Sequence, residues 1–471
     1  MQKLFGTDGI RDIASSKIFT SKSLCILAKA IAHFVQLNNP EKRSTILIGS
    51  DGRSSGINIQ DHFVHWLVLN NIKIAFCEFE NVSPENLPLA EKMRKLSPNT
   101  IISTPLLSHI VKKYFDFGIM ITASHNPYTD NGIKFFDSEG KKLTLDDENK
   151  IEELYFNPNL IQPQKNINLQ SNLMQREKVI LDDEELKIYK QNFNLKNLKL
   201  VIDCANGGTS FLASKIFNDN NQTIINNKPN GININDNCGS EYPKELSRIV
   251  LENHCDVGIA FDGDGDRAVF IDELGKILSG DHILAICADF FKKNGFLTNN
   301  TVVITTMSNQ SLISFFNKLD INVIVSEVGD RNVLYKMIEY NSILGGENSG
   351  HFIFRNFSSC GDGILSALVV LDIINKTGKK LSELSAIYNP YPQKIINVRI
   401  VKKPPLNKFY SLQKIIKKAE KELGNEGRIF IRYSGTEPIC RVMIEGKNKK
   451  ILEKYSEIIP NEIRSLIGFK S

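Results

Sequence analysis

Gly258-Ile-Ala-Phe261 runs straight into Asp262-Gly-Asp-Gly-Asp-Arg267, and this junction decides how the 471-residue chain is read. A short apolar run of this kind predicts a buried strand. Three carboxylates then alternate with two glycines. Glycine tolerates the tight backbone angles that let alternate side chains converge. Converging carboxylates repel one another unless a cation stands among them. An all-oxygen donor set favours a hard ion such as magnesium. The loop is too short for a calcium EF-hand and lacks its closing Glu. Asp262, Asp264 and Asp266 are therefore candidate metal ligands, and Arg267 closes the loop.

Outward from this point the same alternation repeats. Ser44–Gly49, Gly118–Ile121, Leu198–Ile202 and Thr301–Thr305 are predicted strands, and Ser23–Gln36 and Ser382–Tyr388 are predicted helices. Such alternation points to an α/β protein with largely parallel sheets, whose ligands sit at loops leaving the carboxyl ends of strands. Three stretches look like connections: Glu153–Gln175, Ile271–Asp281, and Tyr388-Asn-Pro-Tyr-Pro-Gln393 with its two prolines. They divide the chain into domains at 1–172, 173–271, 272–387 and 388–471. Asp116-Phe-Gly-Ile119 and Asp256-Val-Gly-Ile259 share the pattern D-x-G-I, an echo that fits duplicated units.

Three further loops carry chemistry. Thr122-Ala-Ser-His-Asn-Pro127 follows an apolar strand, so the hydroxyl of Ser124 can be exposed at the strand's end. Serine is a weak nucleophile on its own; His125 as base or a nearby magnesium would activate it. Gly345-Gly-Glu-Asn-Ser-Gly-His351 sets acceptors and donors suited to sugar hydroxyls on a glycine-rich turn. Arg432-Tyr-Ser-Gly-Thr-Glu-Pro438, with Arg441 beyond it, combines guanidinium forks, hydroxyls and open backbone N–H groups suited to a phosphate dianion. Arg11 in Phe5-Gly-Thr-Asp-Gly-Ile-Arg11 is another candidate phosphate contact, and Lys134 in Asn131-Gly-Ile-Lys134 a candidate proton donor or acceptor.

Composition narrows the partners. Hydrophobic residues at 41% and charged residues at 24% are the balance of a soluble globular protein with a large core. A net charge of +5 is too small for a dedicated nucleic-acid binder. No apolar run approaches the roughly 20 residues that span a bilayer. Ile364–Ile374, which contains Asp372, is expected to be a core helix, and the lysine-rich stretch Lys402–Lys421 a solvated amphipathic one. The N-terminus lacks the features of a signal peptide. Eight cysteines without a CxxC pair suggest reduced thiols and a cytoplasmic location.

Together these loops resemble the α-D-phosphohexomutase family, whose motifs T-A-S-H-N-P, D-G-D-G-D-R, G-E-x-S-G-H and R-x-S-G-T-E-P all occur here in order. Asp203-Cys-Ala-Asn-Gly207 and Gly329-Asp-Arg331 fall in register between them. The resemblance implies three mixed α/β sandwich domains and a C-terminal α+β domain around a central cleft. It implies a phosphoserine at Ser124 that completes the shell of one Mg2+ per chain with Asp262, Asp264 and Asp266. It assigns sugar hydroxyls to Glu347 and Ser349, and Asn348 between them is a further candidate substrate-binding residue. It assigns the non-reacting phosphate to Arg432, Ser434, Gly435, Thr436 and Arg441. Lys134 and His351 become candidates for proton transfer, and Arg267 for steadying the moving phosphoryl group. Glucosamine or glucose 1,6-bisphosphate is the implied activator and sugar phosphates are the implied partners, with a homodimer left open and neither nucleic acid nor membrane expected. F-G-T-D-G-I-R and Asn348 look most like the family's phosphoglucosamine mutases, with a broader phosphomannomutase/phosphoglucomutase or a non-catalytic sugar-phosphate-binding relative as the alternatives. Asp12, Gly52, Glu241-Tyr242 and a long Cys77–Thr100 stretch depart from the family pattern.

Overall fold

The computed structural model describes residues 3–6, 8–40, 42–79, 101–161, 176–190, 193, 195, 197–219, 221–434 and 438–468. Most of the Cys77–Thr100 stretch, with Gly435 and Thr436, lies outside them. The first sheet has β1 (Ile10–Ile13), β2 (Thr45–Ser50), β3 (Lys73–Phe79), β4 (Phe117–Ile121), β5 (Asp130–Phe136) and β6 (Arg176–Leu181), in the order β1-β5-β4-β2-β3-β6. β2 pairs in parallel with β3 and β4, and β4 pairs antiparallel with β5. Its core is aliphatic and aromatic, with Ile46, Ile48, Ile119 and Ile121 fully buried against Leu27, Ile31 and Phe63 of two helices, Ser21–Asn38 and Ser54–Leu69. Each such side chain contributes about 1.5–3 kcal/mol on burial.

The expected division at residue 172 falls too early for this sheet. Arg176–Leu181 pairs in parallel with Ile74–Phe79 of β3 and so completes the first sheet. Glu153 also lies inside a helix, Leu145–Phe156, rather than in a connection.

The second sheet holds β7 (Leu200–Asp203), β8 (Gln222–Ile225), β9 (Val257–Phe261), β10 (Ala268–Asp272) and β11 (Ile277–Leu278), in the order β11-β10-β9-β7-β8. The expected connection Ile271–Asp281 therefore contains a short antiparallel strand and the start of the helix Gly280–Lys293. The third sheet has β12 (Thr301–Thr305), β13 (Asn322–Ser326), β14 (Leu344–Gly346) and β15 (Phe352–Phe354), ordered β13-β12-β14-β15. Ile364–Ile374 lies within the buried helix Gly363–Thr377, as its apolar run requires.

The fourth sheet, β16 (Gln393–Arg399), β17 (Gly427–Tyr433) and β18 (Ile439–Gly446), is wholly antiparallel, with β18 in the centre. The helices Tyr410–Leu423 and Lys449–Ile467 contribute Leu412, Ala419, Leu452 and Ile459 to its core. Compactness divides the chain into two units, 1–306 with 324–385 and 307–323 with 386–471. In the second unit, Glu445 accepts from the Gln310 backbone N–H at 2.8 Å and pairs with Arg428 at 2.7 Å. That buried carboxylate ties the segment 307–323 to the fourth sheet, a link the sequence boundary at 387 does not anticipate.

Candidate active site

β4 and β9 end at the two loops the sequence singles out. Ser124 takes a left-handed backbone conformation, φ 51°, which carries its carbonyl into a clamp. Arg53 Nη2 and Asn235 Nδ2 each donate to that carbonyl at 2.8 Å. The guanidinium is itself buried against Asp51 at 2.8 Å. The hydroxyl of Ser124 donates to Asp262 Oδ2 at 2.6 Å, and His125 Nδ1 lies 3.4 Å away. Gly263 makes this approach possible, because a Cβ there would stand 2.5 Å from the Ser124 carbonyl oxygen. A serine loop and an acidic loop 138 residues apart thus meet directly.

The three aspartates are buried and offer carboxylate oxygens that all lie within 4.8 Å of one another. Lys134 Nζ, on β5, bridges Asp264 Oδ2 at 2.8 Å and Asp266 Oδ2 at 2.9 Å. Thr104 Oγ1 donates to the same Asp264 oxygen at 2.5 Å. The other oxygen, Asp264 Oδ1, has no hydrogen-bond partner among the described residues. A buried carboxylate oxygen left without a donor, inside an all-oxygen cluster, is the donor set a hard divalent cation needs. The residues fit magnesium.

Electrostatics follows from this crowding. Burial, and then the neighbouring Asp266 and Asp264, push the Asp262 carboxyl well above its ordinary value. Burial works the same way on Asp266, but Lys134 and His351 outweigh it and hold that carboxyl below the usual range. Burial opposes the charge on Lys134, yet Asp264, Asp266 and Asp8 keep the ammonium protonated. His351 is likewise raised to about 9, as Asp266 and Asp330 overcome burial. His125 goes the other way, to about 4, through burial and the nearby Arg267 and Arg11, so it stays neutral.

Among the remaining candidates, Arg267 lies 3.9 Å from both Asp266 and Glu241, and its backbone N–H donates to Asp262. Arg11 pairs with Asp8 at 3.1 Å and reaches Asn126 at 3.5 Å. Glu347 follows β14 and accepts from the Gly329 backbone N–H at 3.0 Å, whereas Asn348 and Ser349 beside it are exposed. Arg432, Ser434 and Arg441 belong to the second unit. Arg432 and Arg441 stand directly opposite across β17 and β18. Like charges so placed repel, and an anion between them would relieve this. Ser434 is buried and its backbone N–H donates to Ile439 at 3.0 Å.

Sequence reasoning missed several groups. Asp8, Asp330 and Lys142 surround Lys134 and His351, and Arg53 and Asn235 fix the Ser124 backbone. Asp8 and Asp330 stood inside quoted motifs, F-G-T-D-G-I-R and G-D-R, which was the available signal. Lys142 and Asn235 carry none, since both act only through distant partners.

Four family models match in succession: the phosphoglucomutase/phosphomannomutase alpha/beta/alpha domains I (residues 2–90 and 88–161), II (184–275) and III (279–391), and the C-terminal domain (395–461). A phosphoglucosamine mutase of Caldicellulosiruptor saccharolyticus is 39% identical over 99% of this chain and 100% of its own. One from Chlamydia trachomatis is 37% identical over 99% and 98%. Two solved structures share the fold at low identity. The open form of the Paramecium phosphoglucomutase parafusin gives a TM-score of 0.77 at 16% identity, covering 100% and 96% of the two chains. Aspergillus fumigatus N-acetylphosphoglucosamine mutase, in complex with GlcNAc-6P and magnesium, gives 0.62 at 17%, covering 98% and 95%. With all four domains matched in order and full-length relatives at this identity, the chain belongs to the α-D-phosphohexomutase (phosphoglucomutase/phosphomannomutase) family.

Proposed function

We propose that this chain is a phosphoglucosamine mutase, interconverting glucosamine 6-phosphate and glucosamine 1-phosphate through a phosphorylated Ser124. The observation that carries the reading is the 2.6 Å contact between the Ser124 hydroxyl and Asp262, inside a buried carboxylate trio. The full-length relatives named phosphoglucosamine mutase give the substrate class.

In the reaction, the bond between phosphorus and Ser124 Oγ breaks as phosphorus bonds to the free sugar hydroxyl; Ser124 Oγ takes a proton from a protonated neighbour, Lys134 or His351, and the base so formed receives the proton of the hydroxyl. The resulting 1,6-bisphosphate turns over, and its other phosphoryl group returns to Ser124. Asp262, Asp264 and Asp266, with an oxygen of phosphorylated Ser124, would hold Mg2+, which when bound neutralises charge on the phosphoryl group. Phosphoryl transfer depends on positioning and charge neutralisation more than on covalent chemistry. Arg53 and Asn235 fix the Ser124 backbone for that purpose. Arg267 steadies the moving group, and Lys134 and His351 are the groups for proton transfer. Glu347, Asn348 and Ser349 take the sugar hydroxyls. Arg432, Ser434, Gly435, Thr436 and Arg441 take the phosphate that does not react, and Arg11 is a separate phosphate contact. A cytoplasmic location accords with eight free thiols, seven of them buried.

The test is a substrate panel of glucosamine, glucose and mannose phosphates with added glucose 1,6-bisphosphate and Mg2+, alongside phosphopeptide mapping. Preference for glucosamine phosphates and a phosphoserine at position 124 support the reading. Equal turnover of all three sugars would make the chain a broader phosphomannomutase/phosphoglucomutase, and an unmodified Ser124 throughout turnover would remove the phosphoenzyme.

A further inference from the structure

Six ionic side chains form a closed ring beside Ser124. Asp266 Oδ2 is 2.9 Å from Lys134 Nζ, which is 3.1 Å from Asp8 Oδ2. The other oxygen of Asp8 pairs with Lys142 Nζ, which lies 2.6 Å from Asp330 Oδ2. His351 closes the ring, with Nε2 3.4 Å from Asp330 Oδ2 and Nδ1 3.6 Å from Asp266 Oδ1. The members come from five separate stretches of chain. Five of them are strongly shielded, with Lys142 10% and Asp330 8% exposed at the side chain, while Asp8 keeps 27% of its side chain exposed.

Building on the mutase reading, we propose that Asp8, Lys142 and Asp330 are positioning residues that hold Lys134 and His351 in register with the three aspartates. None of them reaches Ser124, so each acts through a neighbour. Lys142 stands between two carboxylates. Remove its charge, and Asp8 and Asp330 are left facing each other in a poorly screened interior, where repulsion is strong. Relief requires Asp330 to move away from Lys142, which drags on His351, and Asp8 to turn towards Lys134. Both groups assigned to proton transfer then shift. His351 Nε2 rests over bare backbone at Gly361, where an added Cβ would lie 2.0 Å away. Displacements near 1 Å in a site of this kind cost about a hundredfold in rate.

The experiment uses the full chain with saturating Mg2+ and glucose 1,6-bisphosphate, and measures kcat, KM and Tm for wild type, Lys142→Met, Lys142→Arg, Asp330→Asn and the Lys142→Met/Asp330→Asn double variant. The double variant removes a cation and an anion together, so it leaves no new unpaired charge and tests the idea even where Lys142→Met fails to fold. Lys142→Met and Asp330→Asn are expected to lower kcat by about ten- to a hundredfold with KM changed by less than about threefold, and Lys142→Arg to recover most of the rate. Folded Asp330→Asn and double variants with kcat within about twofold of wild type overturn the proposal. So does a loss of rate that tracks the unfolded fraction and is not recovered by arginine. If wild type turns over sugar phosphates while these variants match it, the ring inference fails alone. An inactive wild type removes the mutase reading and the inference with it.

Discussion

β4 and β9 occupy the same place in two different sheets, and they end in different chemistry. Each pairs in parallel with an inner strand, β2 or β7, and antiparallel with the strand that follows it, β5 or β10. Asp116 and Asp256 precede them in matching fashion. The first accepts from the Thr45 backbone N–H at 2.9 Å, and the second from that of Lys199 at 2.8 Å. Gly118 and Gly258 sit under helices packed so closely that a Cβ would lie 2.6 Å from Val111 and 2.5 Å from Val250. The D-x-G-I echo is therefore a structural equivalence. It extends to β14, where Gly345 would meet Met337 at 2.6 Å although no aspartate precedes it. Beyond the strands, one loop presents a strained serine held by its carbonyl, the other three carboxylates spaced by glycines. The framework sets where a loop stands; the loop's own residues set what it does there.

The comparison breaks most visibly at the chemical residues. Ser124→Ala is expected to lower kcat by at least about a thousandfold while leaving Tm nearly unchanged, since it removes the hydroxyl proposed to carry the phosphoryl group and no packing. A folded Ser124→Ala variant with wild-type turnover would end the equivalence of loop and function. Next come the scaffold glycines. Gly118→Val and Gly258→Val should each destabilise by about 3 kcal/mol, read from denaturant midpoints, because helix and strand must part to admit the side chain. A large cost in one and none in the other would show that the two sheets are packed differently after all.

The metal site separates the loops further. At 100 times its dissociation constant, Mg2+ should stabilise the wild-type chain by about 2.7 kcal/mol, seen as a rise in Tm that a chelator reverses. Asp264→Ala should abolish that rise even where the variant is stable, whereas Gly118→Val should keep it. The smallest expected effect is at the strand ends. Asp116→Ala should cost about 1–2 kcal/mol and Asp256→Ala about 1 kcal/mol. Asp116 bonds further to the Thr45 hydroxyl at 3.0 Å and to Lys42 at 2.6 Å. Burial alone would raise the Asp116 carboxyl, but Lys42 and Thr45 outweigh it and hold it below its ordinary value of 3.8. A depressed carboxyl stabilises the fold above pH 3.8 and loses that contribution as pH falls through its folded value. Acid titrations of wild type and Asp116→Ala should therefore converge below pH 3.8.

Legibility followed the range over which each residue acts. The apolar runs ending at Ile121 and Phe261 fixed strands because burial there depends on neighbours in sequence. Asp262, Asp264 and Asp266 were readable because one loop holds all three ligands. Asn235 was not, since its amide acts on a carbonyl 111 residues away. The β6 strand escaped notice because its partner, β3, lies about 100 residues earlier in the chain, with β4 and β5 between them.

Local sequence by itself determined the strands, the acidic trio, the serine loop and the paired arginines, since each depends on residues a few positions apart. Only the tertiary structure decided that Ser124 meets Asp262, that Lys134 is shared by three carboxylates, and that Lys142 joins Asp8 to Asp330. Those contacts depend on how sheets and helices pack, since it is the packing that brings groups from distant parts of the chain close enough for their attraction to offset the cost of taking charges out of water.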